Sequence, residues 1–276
     1  MARSATATAH AATRSAAPGA SAPQPGDGYV QSFARGLEVI RSFSAAAPRQ
    51  TLTEVAGRAG LSRAGARRIL LTLQHLGYVE SDGRQFALTP RILDLGFAYL
   101  SSMPIWNLAE PVMEDLVAQV KESCSAAALD GTDIVYVLRV PTHKIMRISL
   151  GVGSRLPAYC TSLGRMLLAG LADDEVRRRL AASPLQPHTR HTLTDAATVL
   201  ARVQQARRQG WCLVNQELEE GLVSMAAPIR DRAGRTVAAL NISGQANRTG
   251  AKAMQDSMLP PLQRAAQTIS HLLAAR

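Results

Sequence analysis

The chain has no run of about 18 apolar residues, so no membrane-crossing helix is expected from it. Cysteine is scarce: Cys124, Cys160 and Cys212 are odd in number, far apart and without CxxC spacing. That excludes a disulfide framework and a cysteine-based structural zinc site, and it points to a reducing compartment, the cytoplasm. GxSxG, Walker and HExxH patterns are missing, which removes the usual hydrolase, nucleotide-triphosphatase and zinc-protease signatures. His188 and His191 have HxxH spacing but sit in a Pro-flanked stretch without an acidic or cysteine ligand nearby, so they read as a surface loop. No metal and no cofactor is expected. Before Asp27 there is no acid, only Arg3 and Arg14, a pattern shared with transit peptides. A continuous apolar segment is also missing there, so a secretory signal is not read. With mostly Ala, Ser, Thr, Pro and Gly, residues 1–28 read as a disordered tail, because they cannot bury enough apolar surface to offset ordering entropy.

What is present is basic charge, unevenly placed. The 276 residues carry a net +10. Residues 1–91 hold 11 basic and 5 acidic residues, a net +6, while residues 92–276 hold 20 and 16, a net +4. Segregated positive charge suits a polyanion, although it also serves solubility.

Residues 29–90 explain the charge. "SFARGLEVIRSFS" places Leu37, Ile40 and Phe43 on one helical stripe. In "TLTEVAGRAG", Thr51 and Glu54 have capping-box spacing, Val55 and Ala59 share an inner face, and Gly60 sits where a helix ends. Ser62 caps the next helix. Its Ala66, Ile69, Leu70, Leu73 and Leu76 fall in one sector of about 120°. Arg63, Ala64, Arg67 and Arg68 fall outside it, at the end that enters the major groove in helix-turn-helix proteins. Arginine there pairs with guanine or holds a phosphate. Ala64, Gly65 and Ala66 keep that end slim. A merely solvated basic face is the alternative. "YVE" and "QFAL" around "SDGR" make a hairpin, hence a wing, with Arg84 beside its turn. Arg35 and Thr53 complete the candidate DNA-contacting set, together with Ser62.

Residues 91–105 read as a linker helix. Pro90 starts it, Leu93, Phe97 and Leu100 form a stripe suited to a partner, and Pro104 stops it. Residues 106–276 read as a second domain. "NLAEPVMEDLVAQVKES" is an amphipathic helix. "DIVYVLRV" and "IMRISLGVG" are strands. "TSLGRMLLAGL", "ADDEVRRRLAAS" and "TDAATVLARVQQARRQG" are helices, the first capped by Thr161 or Ser162 and the last by Thr194. "WCLVNQE", "GLVSMAAPIRD" and "RTVAALNISG" are strands, the last two joined at Asp231–Gly234. The closing helix is expected to kink at Pro260 and Pro261. Two strand groups around helices give an α+β fold with helices around an antiparallel sheet.

"SFARGLEVI", "GLSRAGARRILLTLQHLGYV" and "LTPRILDLGFAYLSS" resemble the N-terminal half of the IclR family of bacterial transcriptional regulators. "LPAYCTSLGRMLLAGL" and "GLVSMAAPIRDRAGRTVAALNISG" resemble its C-terminal effector domain. The resemblance covers about residues 29–274. "DIVYVLRVPT", "RLPAYCTSLGR" and "LVNQELEEGL" look closer still to the branch regulating β-ketoadipate-pathway genes, the Pca and Pob type.

The resemblance implies a winged helix-turn-helix domain, a linker helix and a GAF-like effector domain. It implies a homodimer or dimer of dimers on double-stranded operator DNA in the bacterial nucleoid. The implied effector is a small aromatic or dicarboxylic acid, and the implied role is an activator that works with RNA polymerase. The alternatives are a repressor with a different acid, an oligomerising DNA-binding protein without ligand, or an enzyme with a DNA-binding appendage that uses Cys160 as a low-pKa thiol.

By the same resemblance, the effector lies between the sheet and the loop Leu156, Pro157, Ala158, Tyr159, Cys160, Thr161, Ser162. A helix N-terminus there offers free N–H groups and a positive dipole end to a carboxylate. Val214 and Asn215 stand where family members often carry acids, Ser224 stands at the family's cysteine, and Glu217 keeps an acid. Asn241 and Ser243 form the polar pair near the last strand. Tyr159 and Met225 are candidates to cover a ring. Among Arg139, Arg147 and Arg155, Arg147 is favoured as the carboxylate partner, since it lies mid-strand between apolar neighbours.

Overall fold

The structure is a computed structural model that describes residues 28–102, 105–142 and 150–275. Helix α1 spans Gln31–Arg41, strand β1 Arg49–Thr51 and helix α2 Leu52–Arg58. Thr51 and Glu54 exchange the expected bonds: Thr51 Oγ1 accepts from Glu54 N at 3.4 Å, and Glu54 Oε2 accepts from Thr51 N at 2.7 Å. Two orphan donors are thereby satisfied. The Thr51 N–H, then its hydroxyl, also hold the Glu54 carboxyl below its ordinary pKa. Gly60 follows at φ +64°, a left-handed turn that glycine adopts without steric cost. Helix α3 then runs Arg63–His75, with Ser62 Oγ accepting from Gly65 N at 3.1 Å.

Val39, Val55, Ala56, Ala66, Leu70, Leu73 and Val79 form the core of this unit. Two expectations are corrected. On α1 it is Val39, not Leu37, that reaches the core, and Leu76 is 48% exposed. Leu76 is the C-cap residue of α3 and lines an open groove with Phe33 and Leu37 of α1 instead of the core. Strands β2 (Val79–Ser81) and β3 (Gln85–Leu88) form the wing. The sheet order is β1-β3-β2, so β1 supplies a third strand that three residues of sequence were too short to announce. A 3₁₀ turn at Pro90–Ile92 leads into α4, Leu93–Ser102.

The C-terminal part begins with α5 (Ile105–Val120), β4 (Ser123–Asp130), β5 (Asp133–Val140) and β6 (Arg155–Pro157). Helices α6 (Ser162–Ala169), α7 (Asp173–Ala182) and α8 (Ala196–Gln209) follow. Strands β7 (Cys212–Asn215), β8 (Leu222–Arg230) and β9 (Thr236–Gln245) precede the last helix α9, Ala251–Ala274. The sheet is antiparallel in the order β6-β5-β4-β9-β8-β7. One face, with Cys124, Ala126, Met225, Leu240 and Ile242, packs on α5 and α9. The other face packs on α6, α7 and α8 through Ala127, Tyr136, Leu163, Leu167, Val176, Val199 and Val203. Each strand therefore alternates between two cores.

Two further expectations change. Most of "IMRISLGVG" falls at 143–149, outside the described residues; within the stretch read as a loop, β6 pairs with β5. Asp195, not Thr194, caps α8, its Oδ2 accepting from Thr198 N at 2.7 Å; the shorter reach of Asp195 to the third amide wins. Helix α9 runs continuously through Pro260 and Pro261. Pro261 is buried in the packing of α9, which offsets the helix bonds the two prolines cannot make.

Candidate functional site

The cavity on the α6 face of the sheet is built by alternation and one bulge. Ser125, Arg139 and Asn241 lie side by side on β4, β5 and β9, and Ser243 faces Ser224 across β9 and β8. Along β5 the register jumps between Leu138 opposite Ala126 and Tyr136 opposite Ala127, so Val137 is the extra residue. Such a bulge re-aims side chains. Here Tyr136 and Arg139, three apart, both line the cavity.

The floor is a connected polar network. Ser162 Oγ lies 2.6 Å from Ser224 Oγ. Asn241 Nδ2 donates to Ser224 Oγ and to Ser243 Oγ, each at 3.0 Å, while its Oδ1 accepts from Ser125 N at 3.1 Å. Asn241 is therefore a tied-down floor residue rather than a strand-end turn. Arg139 Nη1 donates to Ser125 Oγ at 3.2 Å. Among the described residues no carboxylate is in ion-pair contact with Arg139.

Helix α6 brings its N-terminus to this floor. Thr161 is its N-cap, with Oγ1 accepting from Gly164 N at 3.1 Å and donating to Pro157 O at 3.0 Å. That leaves the Ser162 and Leu163 N–H groups as first-turn donors without an intrahelical acceptor. Gly164 holds the approach: a Cβ there would lie 2.2 Å from Ala158 O. The loop Leu156–Cys160 can lie on α6 only because position 164 has no side chain.

Behind the cavity, Arg165 and Glu217 form a buried ion pair. Arg165 Nη1 and Nη2 donate to Glu217 Oε1 and Oε2 at 2.6 and 2.5 Å, and Arg165 Nε donates to Tyr159 O at 2.8 Å. Leu193 N donates to Glu217 Oε2 at 3.2 Å. The pair ties α6, the Tyr159 loop and the β7–β8 connection together.

Of the residues expected in the pocket, Leu156, Cys160, Thr161, Ser162, Ser224, Asn241 and Ser243 line one cavity. The others do not. Met225 follows Ser224 on β8 and so faces the α5–α9 core, where it is fully buried. Asn215 is exposed, because Val214 takes the inward position. Glu217 is spent on Arg165. Pro157 and Ala158 support the loop, Ala158 N donating to Thr132 O at 3.0 Å. Tyr159 donates its hydroxyl to Gln186 O at 2.5 Å and stacks on His188, away from the floor. Arg147 lies outside the described residues. Arg155 is on the surface, paired with Asp130 at 2.6 Å. The sequence reading missed Tyr136, Leu150, Leu218, Glu219 and Leu222 as lining residues, and it ranked Arg139 below Arg147. The cavity is tight, about 30 Å³, against the roughly 10–15 Å³ that a single water needs.

The second candidate surface is the first turns of α3. Arg63, Ala64, Arg67 and Arg68 are exposed, as are Arg35, Thr53, Ser62 and Arg84, while Gly65 is half-buried. Among the described residues Arg63, Arg67, Arg68 and Arg84 make no ion pair. Arg84 is placed by the wing turn, where Asp82 Oδ1 accepts from Arg84 N at 2.9 Å and from Gln85 N at 2.7 Å. Those bonds, Gln85 first, hold the Asp82 carboxyl below its ordinary pKa. Arg35 and Arg68 also border an apolar groove with Phe33, Leu37, Leu76 and Leu95.

Residues 32–83 match the IclR helix-turn-helix domain, and residues 97–271 match the C-terminal domain of the bacterial transcriptional regulator IclR. The chain belongs to the IclR family of transcriptional regulators. It is similar to the Pca regulon regulatory protein of Pseudomonas putida, at 42% identity over 246 residues, covering 89% of this chain and 84% of that protein. It is 35% identical over 250 residues to the p-hydroxybenzoate hydroxylase transcriptional activator of Acinetobacter baylyi, covering 89% and 92%. It also matches the crystal structure of an IclR homologue complexed with 4-hydroxybenzoate from Microbacterium hydrocarbonoxydans, with a TM-score of 0.78, 25% identity and coverage of 89% and 100%.

An IclR-family chain is a DNA-binding regulator, and the helix-turn-helix built by α2 and α3 fits that role. The thiol reading that favoured an enzyme is corrected. Burial pushes the Cys160 thiol up to about 12, against the opposing pull of the Arg165 charge. A thiol that stays protonated at neutral pH is a poor nucleophile. No helix among the described residues is long and apolar enough to cross a membrane.

Proposed function

We propose that this chain regulates genes of aromatic-acid catabolism by binding double-stranded operator DNA and a small organic-acid effector, aromatic or dicarboxylic. The observation that carries the reading is the cavity that joins the α6 N-terminus to the Arg139 guanidinium over a floor of hydroxyl and amide groups. Both are donors to a carboxylate, and the floor supplies partners for further oxygens. Arg63, Arg67 and the wing residue Arg84 contact DNA, Arg67 from the middle of the exposed face of α3. The exposed Leu93 and Phe97 of α4, each 69% exposed, together with the groove beside α1, suit burial against a second copy in a homodimer or dimer of dimers. The role is that of an activator, in keeping with the name of the Acinetobacter relative, with RNA polymerase as the partner at the promoter. The protein acts in the cytoplasm, at the nucleoid.

Effector binding biases the paired winged domains through α4, because α5, which follows it, packs on the opposite face of the strands that carry Ser125, Arg139 and Asn241. One observation favours a ligandless assembly protein instead: a ring enters a cavity of about 30 Å³ only if the Leu150 and Leu218–Leu222 walls move apart. Thermal unfolding of the full chain with protocatechuate, 4-hydroxybenzoate, β-ketoadipate, cis,cis-muconate and pyruvate decides. A ligand at about 100 times its Kd adds roughly 2.7 kcal/mol. A shift with one acid, followed by changed operator binding with that acid, supports the reading. No shift with any supports assembly alone.

A further inference from the structure

Arg139 and Glu219 line the same cavity from different sides. Arg139 projects from β5, the second strand of the sheet, and Glu219 belongs to the connection after β7 at the opposite edge. Between β5 and β8 lie three strand spacings, ~14 Å. The hydroxyl floor of Ser224, Ser243 and Asn241 occupies the interval. Among the described residues neither Arg139 nor Glu219 has an ion-pair partner, and they do not pair with each other. Two half-buried opposite charges are thus held apart in one pocket that is otherwise neutral.

We propose that this pocket selects by charge at both ends, taking an aromatic acid with one carboxylate and a hydroxyl opposite it. The proposal rests on the effector reading above. Arg139 pairs with the carboxylate in a charge-assisted contact. The Glu219 carboxylate, lining the opposite side of the pocket, accepts the hydrogen bond of the hydroxyl. A second carboxylate in place of that hydroxyl faces Glu219 and is repelled, and it leaves an ionised group poorly paired. The Leu156, Leu163, Leu218 and Leu222 side chains supply apolar cover for a ring between the two ends. Glu219 is therefore the specificity-determining residue, and Arg139 the anchor.

The test is calorimetric titration of the full chain with 4-hydroxybenzoate and with benzene-1,4-dicarboxylate, which differ only in the group facing Glu219. The wild type is expected to bind the hydroxy acid at least about tenfold more tightly, given the cost of like-charge juxtaposition. E219Q should lose most of that preference by gaining affinity for the dicarboxylate. R139M should weaken both acids, and R139K should recover part of the loss, which a folding defect would not do. Equal or tighter binding of the dicarboxylate by the wild type overturns the charge selection and leaves the effector reading intact. An E219Q preference unchanged from wild type does the same. Binding of neither these acids nor any in the thermal panel overturns both.

Discussion

Removing one partner of the Arg165–Glu217 pair should unfold the effector domain at a much lower denaturant concentration. The Arg165 and Glu217 side chains are 2% and 9% exposed, and both guanidinium–carboxylate bonds are formed. Deleting one side strands the other charge out of water, which costs about 3–5 kcal/mol. With a urea slope of about 2 kcal/mol per molar, the midpoint falls by about 1.5–2.5 M. The two tryptophans, Trp106 and Trp211, both lie in the C-terminal part of the chain, so tryptophan fluorescence follows that unit without signal from the winged domain. Glu217→Leu and Arg165→Met should each show the full drop. The double variant Arg165→Met/Glu217→Leu should recover at least half of it, since an apolar pair of similar volume replaces the ions. Recovery stays incomplete because Tyr159 O and Leu193 N lose their partners, at about 1–3 kcal/mol for a buried unsatisfied group. A single-variant shift below about 0.5 M, with the slope unchanged, refutes the argument that this pair holds the domain.

Arg67→Ala should weaken operator binding by about 1–3 kcal/mol if Arg67 reads a base, or lower the salt slope by about one if it holds a phosphate; fluorescence anisotropy against salt distinguishes these, and effector affinity should not change. Gly164→Ala should cost about 1–3 kcal/mol by overpacking and should also weaken effector binding, because the new Cβ displaces the Ala158 backbone; unchanged stability and affinity would show that the loop yields freely. Burial pushes the Cys160 and Cys212 thiols up to about 12 and Cys124 higher still. An aromatic disulfide reagent at pH 8 should therefore find no thiol in the native protein and all three in urea. Unfolded thiols ionise above their ordinary value of 9.0 while the folded Cys160 and Cys212 stay protonated to about 12. The unfolded state then binds fewer protons, so stability falls as pH rises through that window; flat stability there contradicts the assignment.

The winged unit was legible because its signals are local. Thr51, Glu54, Gly60 and Ser62 act within a few residues of themselves, and each does in the structure what its spacing requires. The exceptions mark the limit of local reading. Leu76 satisfies the periodicity of α3 but opens onto the groove beside α1, and β1 is too short to carry any period. The helix N-terminus at Thr161 was readable for the same local reason.

The cavity depends on contacts across the sheet, and there the sequence divides its evidence. Period two alone excludes Met225 once Ser224 faces inward, and Asn215 once Val214 does. Which member of each pair faces the cavity is fixed by register, which a single strand does not contain. Arg139 shows the stronger obstacle. Strict alternation along "DIVYVLRV" sends Tyr136 and Arg139 to opposite faces, and only the bulge at Val137 brings both to one side. The one residue that makes β5 irregular is thus the one that puts a guanidinium into the pocket. Glu217 fails for a complementary reason: its acid is real, but Arg165, 52 positions away along the chain, claims it. The acid left facing the cavity is Glu219, two residues on, and the charge pattern of the site follows from that displacement.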